Sequence, residues 1–222
     1  MLIQLKPSER SFDVFVLSDI KSFNVFILCE GRTEVEVIKS LCSRLGITSA
    51  KSVAISDCEG IDRVYGLVPS IALLSKLSRR LRALAVVTDA DELSYEGRFR
   101  SLINSLRSRG INVVLSNDYV VSSQLFKALI KANDRELKFY VTVNGISEYE
   151  FSKHVLEDHV IKLLELEGEV NVSELSNVSN SKEFIRERSI NVIKEVVDAE
   201  PRLLRESFSH LVKLMELVLK DP

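Results

Sequence analysis

Five carboxylates stand directly after short apolar runs in this chain. Glu30 follows Phe23-Asn-Val-Phe-Ile-Leu-Cys29, Asp57 and Glu59 follow Ser52-Val-Ala-Ile-Ser56, and Asp89 and Asp91 follow Ala83-Leu-Ala-Val-Val-Thr88. Acids that converge from separate strand ends repel one another until a cation or a proton relieves them. Oxygen ligands of this kind suit Mg²⁺ or Mn²⁺, which take one or two carboxylates and keep several waters. Asp-x-Asp on an extended or turning backbone sends both side chains the same way, so Asp89 and Asp91 read as a pair of metal ligands. Glu30 precedes Gly31 and a helix start, where backbone N–H groups favour a phosphate, and so reads as a general acid or base. The competing reading is structural: Asp89 or Asp91 caps the following helix, and Glu30 is a solvated loop residue.

The pattern around these acids predicts an α/β fold. Short, nearly continuous apolar runs alternate with amphipathic ones, as in a parallel sheet covered on both faces. A helix is expected over about 33–45, with Val35, Ile38, Leu41, Cys42 and Leu45 on one face, a cap from Thr33 and Glu36, and a stop at Gly46. A second helix is expected over about 62–80, disturbed at Pro69, and a third over about 95–109, ending at Gly110. Ile111–Leu115 reads as the fourth strand, giving βαβαβαβ with right-handed crossovers and a mostly parallel central sheet of about four strands. Ligands bind such sheets outside the carboxyl ends of the strands, where all five acids fall. Residues 122–132 read as helix and Phe139–Val143 as a further strand ended by Asn144-Gly145. Helices are expected over about 149–166, 181–198 and 201–219, with a Ser- and Asn-rich turn region between Gly168 and Ser181. The chain thus divides into an α/β domain, 1–146, and a helical extension, 147–222, packed on it. Phe12–Leu17 is a candidate extra strand at a sheet edge.

Two of these motifs together resemble the Toprim domain, the metal-binding module of topoisomerases, bacterial-type primases, overcoming-lysogenization-defect (OLD) nucleases and certain recombination-repair proteins. The resemblance rests on Glu30-Gly31-Arg32-Thr33-Glu34 and Thr88-Asp89-Ala90-Asp91 and covers about residues 22–116. It implies a Rossmann-like fold, Glu30 as the acid/base of phosphoryl transfer, and Asp89 and Asp91 as holders of Mg²⁺. It also implies that Glu34 supports the site; Gly31 in the same motif, and Asp57 and Glu59 by their strand-end position, are further candidate supporting residues. Topoisomerase-type members carry a third acid two residues after the pair, where this chain has Leu93. Neither a zinc module nor strand-gating domains accompany the motif. The likeness is therefore to the small stand-alone, OLD nuclease-like branch.

Composition narrows the choice. The 222 residues carry a formal charge of −2, which does not advertise a constitutive nucleic-acid binder. Between Lys76 and Arg109, however, eight basic residues face four acidic ones. Arg79, Arg80, Arg98 and Arg109 are candidate contacts to a DNA or RNA backbone, and Tyr95 and Phe99 are candidate stacking residues; the alternative is solvated helix faces. Cys29, Cys42 and Cys58 lack metal-ligand spacing and read as free thiols in a reducing compartment. Without a signal-peptide core or a run of ~20 apolar residues, a cytoplasmic protein away from membranes is expected. His154 and His159 point to different helix faces, and Glu157-Asp158 reads as helix solubility ahead of an outer wall of the site. The last helix's Leu211, Leu214, Met215 and Val218 face either the interior or a homo-dimer partner. Three functions remain: Mg²⁺-dependent nuclease or phosphotransferase chemistry on nucleic acid, alongside a partner ATPase or helicase; a non-catalytic nucleic-acid- or protein-binding module; and a metal-dependent nucleotide-sugar transferase.

Overall fold

The apolar runs expected to be buried strands are indeed the centre of a sheet. The computed structural model describes residues 2–5, 22–75, 78, 80–132, 135–176 and 178–220. In chain order its elements are β1 (Leu2–Leu5), β2 (Val25–Cys29), α1 (Arg32–Arg44), β3 (Val53–Asp57), α2 (Ile61–Leu74), β4 (Ala83–Asp89) and α3 (Tyr95–Ser108). Then come β5 (Asn112–Val114), β6 (Val120–Ser122), β7 (Leu125–Ala132), β8 (Arg135–Asn144) and α4 (Leu156–Glu167). Four further helices close the chain: α5 (Ser181–Glu187), α6 (Val192–Asp198), α7 (Pro201–Ser207) and α8 (Ser209–Lys220).

The strand order is β1-β3-β2-β4-β8-β7-β5, with β6 on β7. Pairing is parallel from β1 through β8 and antiparallel from there to β5. From β2 the chain crosses one way to β3, then back over β2 to β4. This reversal opens a crevice at the carboxyl ends of β2 and β4 and sends the connecting helices to opposite faces. On one face Val25, Ile27, Ala85 and Val87 pack with Val35, Ile38 and Leu41 of α1. On the other, Phe26, Leu28, Leu84 and Val86 pack with Val64 and Ile71 of α2 and Phe99 and Leu102 of α3. The alternation along each strand is the period-two rule of a sheet buried on both sides.

Several expectations change. The sheet has eight strands rather than about four. The parallel strand beside β4 is β8, in register with it from Ala83↔Lys138 to Asp89↔Asn144, whereas the 111–115 run supplies only the short antiparallel edge β5. Residues 125–132 are strand, not helix. Leu125, Phe126, Leu129 and Ile130 have helical spacing, but the segment pairs antiparallel with β8, from Leu125↔Thr142 to Ala132↔Arg135. Helix α1 starts one residue earlier than expected and is capped at Gly31, with Glu34 rather than Glu36 closing the first turn.

The segment before α4 is extended, because Tyr149, Phe151 and Val155 bury their side chains in the core ahead of the helix. The two long C-terminal helices each break, one between Glu187 and Val192, where Ser189 has a positive φ and Asn191 caps α6, and the other at Phe208. Leu211, Leu214, Met215 and Val218 of α8 are buried on the α1 face of the sheet, so the apolar stripe is consumed inside the chain. The candidate strand at Phe12–Leu17 lies outside the described residues. No helix of the described residues is long and apolar enough to cross a membrane.

Candidate functional site at the strand ends

Glu30 is the first residue after β2, and its backbone N–H is held by Val87 O at 2.9 Å. Its carboxylate turns toward β4, where Oε2 accepts from Thr88 Oγ1 at 2.7 Å and from Asp89 N at 3.1 Å. Asp89, at the end of β4, is almost wholly buried. Its Oδ1 accepts from Asn144 Nδ2 and from the backbone N–H of Leu156, both at 3.1 Å. Glu34, one turn into α1, accepts the N–H of Gly31 at 3.1 Å through Oε2. These three acids line an open recess of about 240 Å³ together with Gly31, Thr33, Glu59, Gly60, Glu157 and Lys182.

The electrostatics follow from crowding acids with little water. Burial, then repulsion from Glu157 and Glu30, raises the Glu34 pKa to about 7. Burial followed by the charge of Glu34 raises Asp89 well above the usual carboxylate range, against the opposing pull of Lys182 and Asn144. Burial also raises Glu157, again opposed by Lys182. For Lys182 itself burial pulls the pKa down, but Glu157, Asp89 and Glu34 outweigh this and raise it. Its Nζ stands 3.6 Å from Asp89 Oδ2 and 3.9 Å from Glu157 Oε2. Glu157 Oε2 is buried and has no hydrogen-bond partner.

The recess is supported from behind by a polar chain. Asn144 gives its amide N–H to Asp89, so its oxygen accepts from His210 Nε2 at 3.0 Å. His210 stacks on His159 with ring centroids 4.2 Å apart. His159 Nε2 accepts Gly145 N at 3.1 Å, leaving Nδ1–H to donate to Ser207 O at 2.8 Å. Burial lowers the His159 pKa to about 4 and, with the neighbouring His159, lowers that of His210, so both rings are neutral near pH 7. Asp158, fully buried, accepts from Ile146 N at 2.9 Å and Ser181 Oγ at 2.5 Å and lies 3.2 Å from His154 Nδ1. It thereby ties α4 and α5 to the loop after β8.

Not every residue expected at the site is there. Asp91 has a positive φ of 52°, exchanges both backbone hydrogen bonds with His154, and turns its carboxylate to Arg98 Nη2 at 2.7 Å, so it does not line the recess. Arg98 is buried and also donates to Ala90 O at 3.2 Å, which fixes the 89–91 turn from inside. Glu59 reaches the recess rim but pairs with Arg63, and Asp57 is half-buried beside it, its pKa raised by burial and then by Glu59. Arg80 and Arg109 are exposed. They lie toward the amino ends of the strands, a strand's length away from the acids, about 20 Å by strand and helix rise. Arg79 lies outside the described residues. Tyr95 donates to Gly145 O and Phe99 is fully buried, so both are structural.

Lys182 and His210 carry no site signal in the sequence, and Glu157, which could have been a wall of the site, reads there first as helix solubility. Asn144 is a polar residue ending the apolar run 139–143, which reads equally as a turn. Among the described residues the three acids whose ligand atoms all lie within 4.8 Å of one another are Glu167, Glu169 and Glu195, on the surface; the recess carboxylates are spaced more widely.

The fold and site thus define an α/β protein with an acidic recess at the reversal point of a mostly parallel sheet. The chain belongs to a family described as a protein of unknown function, DUF3226, which matches residues 24–141, more than half its length. The match takes in Glu30, Glu34, Asp89 and Asp91 and stops before Asn144, Glu157, Lys182 and His210. No curated protein and no solved structure matches the chain.

Proposed function

We propose that the chain performs Mg²⁺- or Mn²⁺-dependent phosphodiester chemistry on nucleic acid, cutting or transferring, at the recess of Glu30, Glu34, Asp89 and Glu157. The observation that carries this reading is Glu157 Oε2, a buried carboxylate oxygen without a hydrogen bond that lines the recess with Asp89 and has the Lys182 ammonium no nearer than 3.9 Å. Such an oxygen is costly unless a cation or proton compensates it. The donors around it are hard oxygens, and the recess is open, so the residues fit Mg²⁺ or Mn²⁺. Asp89 and Glu157 would hold the ion, which when bound neutralises charge on phosphate oxygens and acidifies a coordinated water.

Glu30 moves the proton. Its Oε2 is fixed by Thr88 and the Asp89 N–H, which orients the carboxylate while leaving one oxygen outside that pair of bonds. Asn144 and the Leu156 N–H occupy Asp89 Oδ1 and leave Oδ2 to the recess side, where Lys182 approaches. The start of α1 supplies backbone N–H groups and dipole for the anion. In this reading the core is Toprim-like, Asp91 braces the turn, and the chain works in a reducing cytoplasm, with which its free thiols are compatible, alongside a nucleic-acid ATPase or helicase. The cation already supplied by Lys182 favours a second reading, a non-catalytic module that binds nucleic acid or protein.

Labelled single- and double-stranded DNA and RNA, offered with Mg²⁺ or Mn²⁺, separate the two. Product formed by the wild type and lost in Asp89→Ala supports catalysis; equal product from both proteins overturns it.

A further inference from the structure

We propose that Lys182 is a tethered cation that shares Asp89 and Glu157 with the divalent ion and is displaced by it. The inference rests on the metal reading of the recess. Of the nine residues lining that recess, five are acidic and Lys182 is the basic one. Its Nζ addresses Asp89 Oδ2 and Glu157 Oε2, the two oxygens best placed for an ion. At 3.6 and 3.9 Å these contacts are longer than hydrogen bonds between fully engaged groups, and the Lys182 side chain is 57% exposed. The ammonium is therefore loosely held over acids that are themselves nearly enclosed.

The backbone beneath Lys182 is firmly placed. Ser181 is buried and donates to Asp158, and Asn180 Oδ1 accepts the Glu183 N–H at 2.9 Å to cap α5. A fixed root and a four-carbon stem let the ammonium leave the carboxylates without moving the helix. Ion and ammonium cannot both take the same oxygens, and their like charges repel at such range. Each divalent ion bound thus frees one lysine at the mouth of the recess, where it is available to a phosphate oxygen.

The test is calorimetric titration of wild type, Lys182→Gln and Asp89→Asn with MnCl₂ at constant ionic strength. Lys182→Gln is expected to bind Mn²⁺ about fivefold more tightly than wild type, the equivalent of removing one competing ion pair. Amine acylation followed by mass spectrometry is expected to modify Lys182 faster at saturating Mn²⁺ than without it. Equal or weaker Mn²⁺ binding by Lys182→Gln, or unchanged acylation on saturation, overturns the inference and leaves the metal site standing. Absence of binding in wild type and Lys182→Gln alike, matching Asp89→Asn, overturns both.

Discussion

Glu34 offers the sharpest test of the recess electrostatics, because its substitution should stabilise the fold. The side chain is 6% exposed, and its folded-state pKa is raised from 4.5 to about 7 by burial and by Glu157 and Glu30. A carboxyl group whose pKa rises on folding contributes stability that is fully present below its unfolded pKa and is lost as pH rises through the folded value. The loss therefore runs from about pH 4.5 to about pH 7 and is complete by pH 8. A shift of this size amounts to about 3 kcal/mol, shared with Asp89 because the two acids repel one another.

Glu34→Gln keeps an oxygen to accept the Gly31 N–H and removes the charge. At pH 8 it should unfold about 3 kcal/mol later than wild type, or about 6–12 °C higher for a domain of this size. At pH 4.5 the two proteins should be nearly equal. Urea unfolding of both from pH 4.5 to 8 measures the difference directly. A variant less stable than wild type at pH 8, or a difference independent of pH, would refute the reasoning.

Other consequences are independent of that pair. Gly145→Ala should cost about 3 kcal/mol or more in thermal unfolding, because Gly145 sits at φ 121° and a Cβ there would run into His154 Cβ and its backbone. Asp158→Ala should cost about 3 kcal/mol, since it strands the Ile146 N–H and the Ser181 hydroxyl in the interior; urea unfolding reports it, and a neutral result contradicts the tie between α4 and α5. Arg98→Met should destabilise by about 2 kcal/mol while leaving DNA retention in filter binding unchanged, because its guanidinium holds Asp91 and Ala90 O inside the fold.

The sequence made Glu30 and Asp89 legible because each ends a continuous apolar run, and burial of β2 and β4 on both faces produces such runs. The same logic misplaced Asp91. Alternation put it beside Asp89, but a positive φ and the pull of Arg98 turn it away, and neither is visible in a local pattern. Residues 125–132 failed for a related reason: their apolar spacing suits a helix, and only pairing with β8 decides for a strand. Glu157 and Lys182 reach the recess from α4 and α5, far along the chain, because those helices pack on the α1 face of the sheet. Long-range placement of that kind leaves no short motif.

The most direct test of the account is whether a divalent ion binds at Asp89. Mn²⁺ titration followed by electron paramagnetic resonance should reveal a site in the wild type that Asp89→Asn abolishes and Asp91→Asn, whose carboxylate faces Arg98, largely retains. A site lost with Asp91 but kept without Asp89, or no site in the wild type, would contradict it.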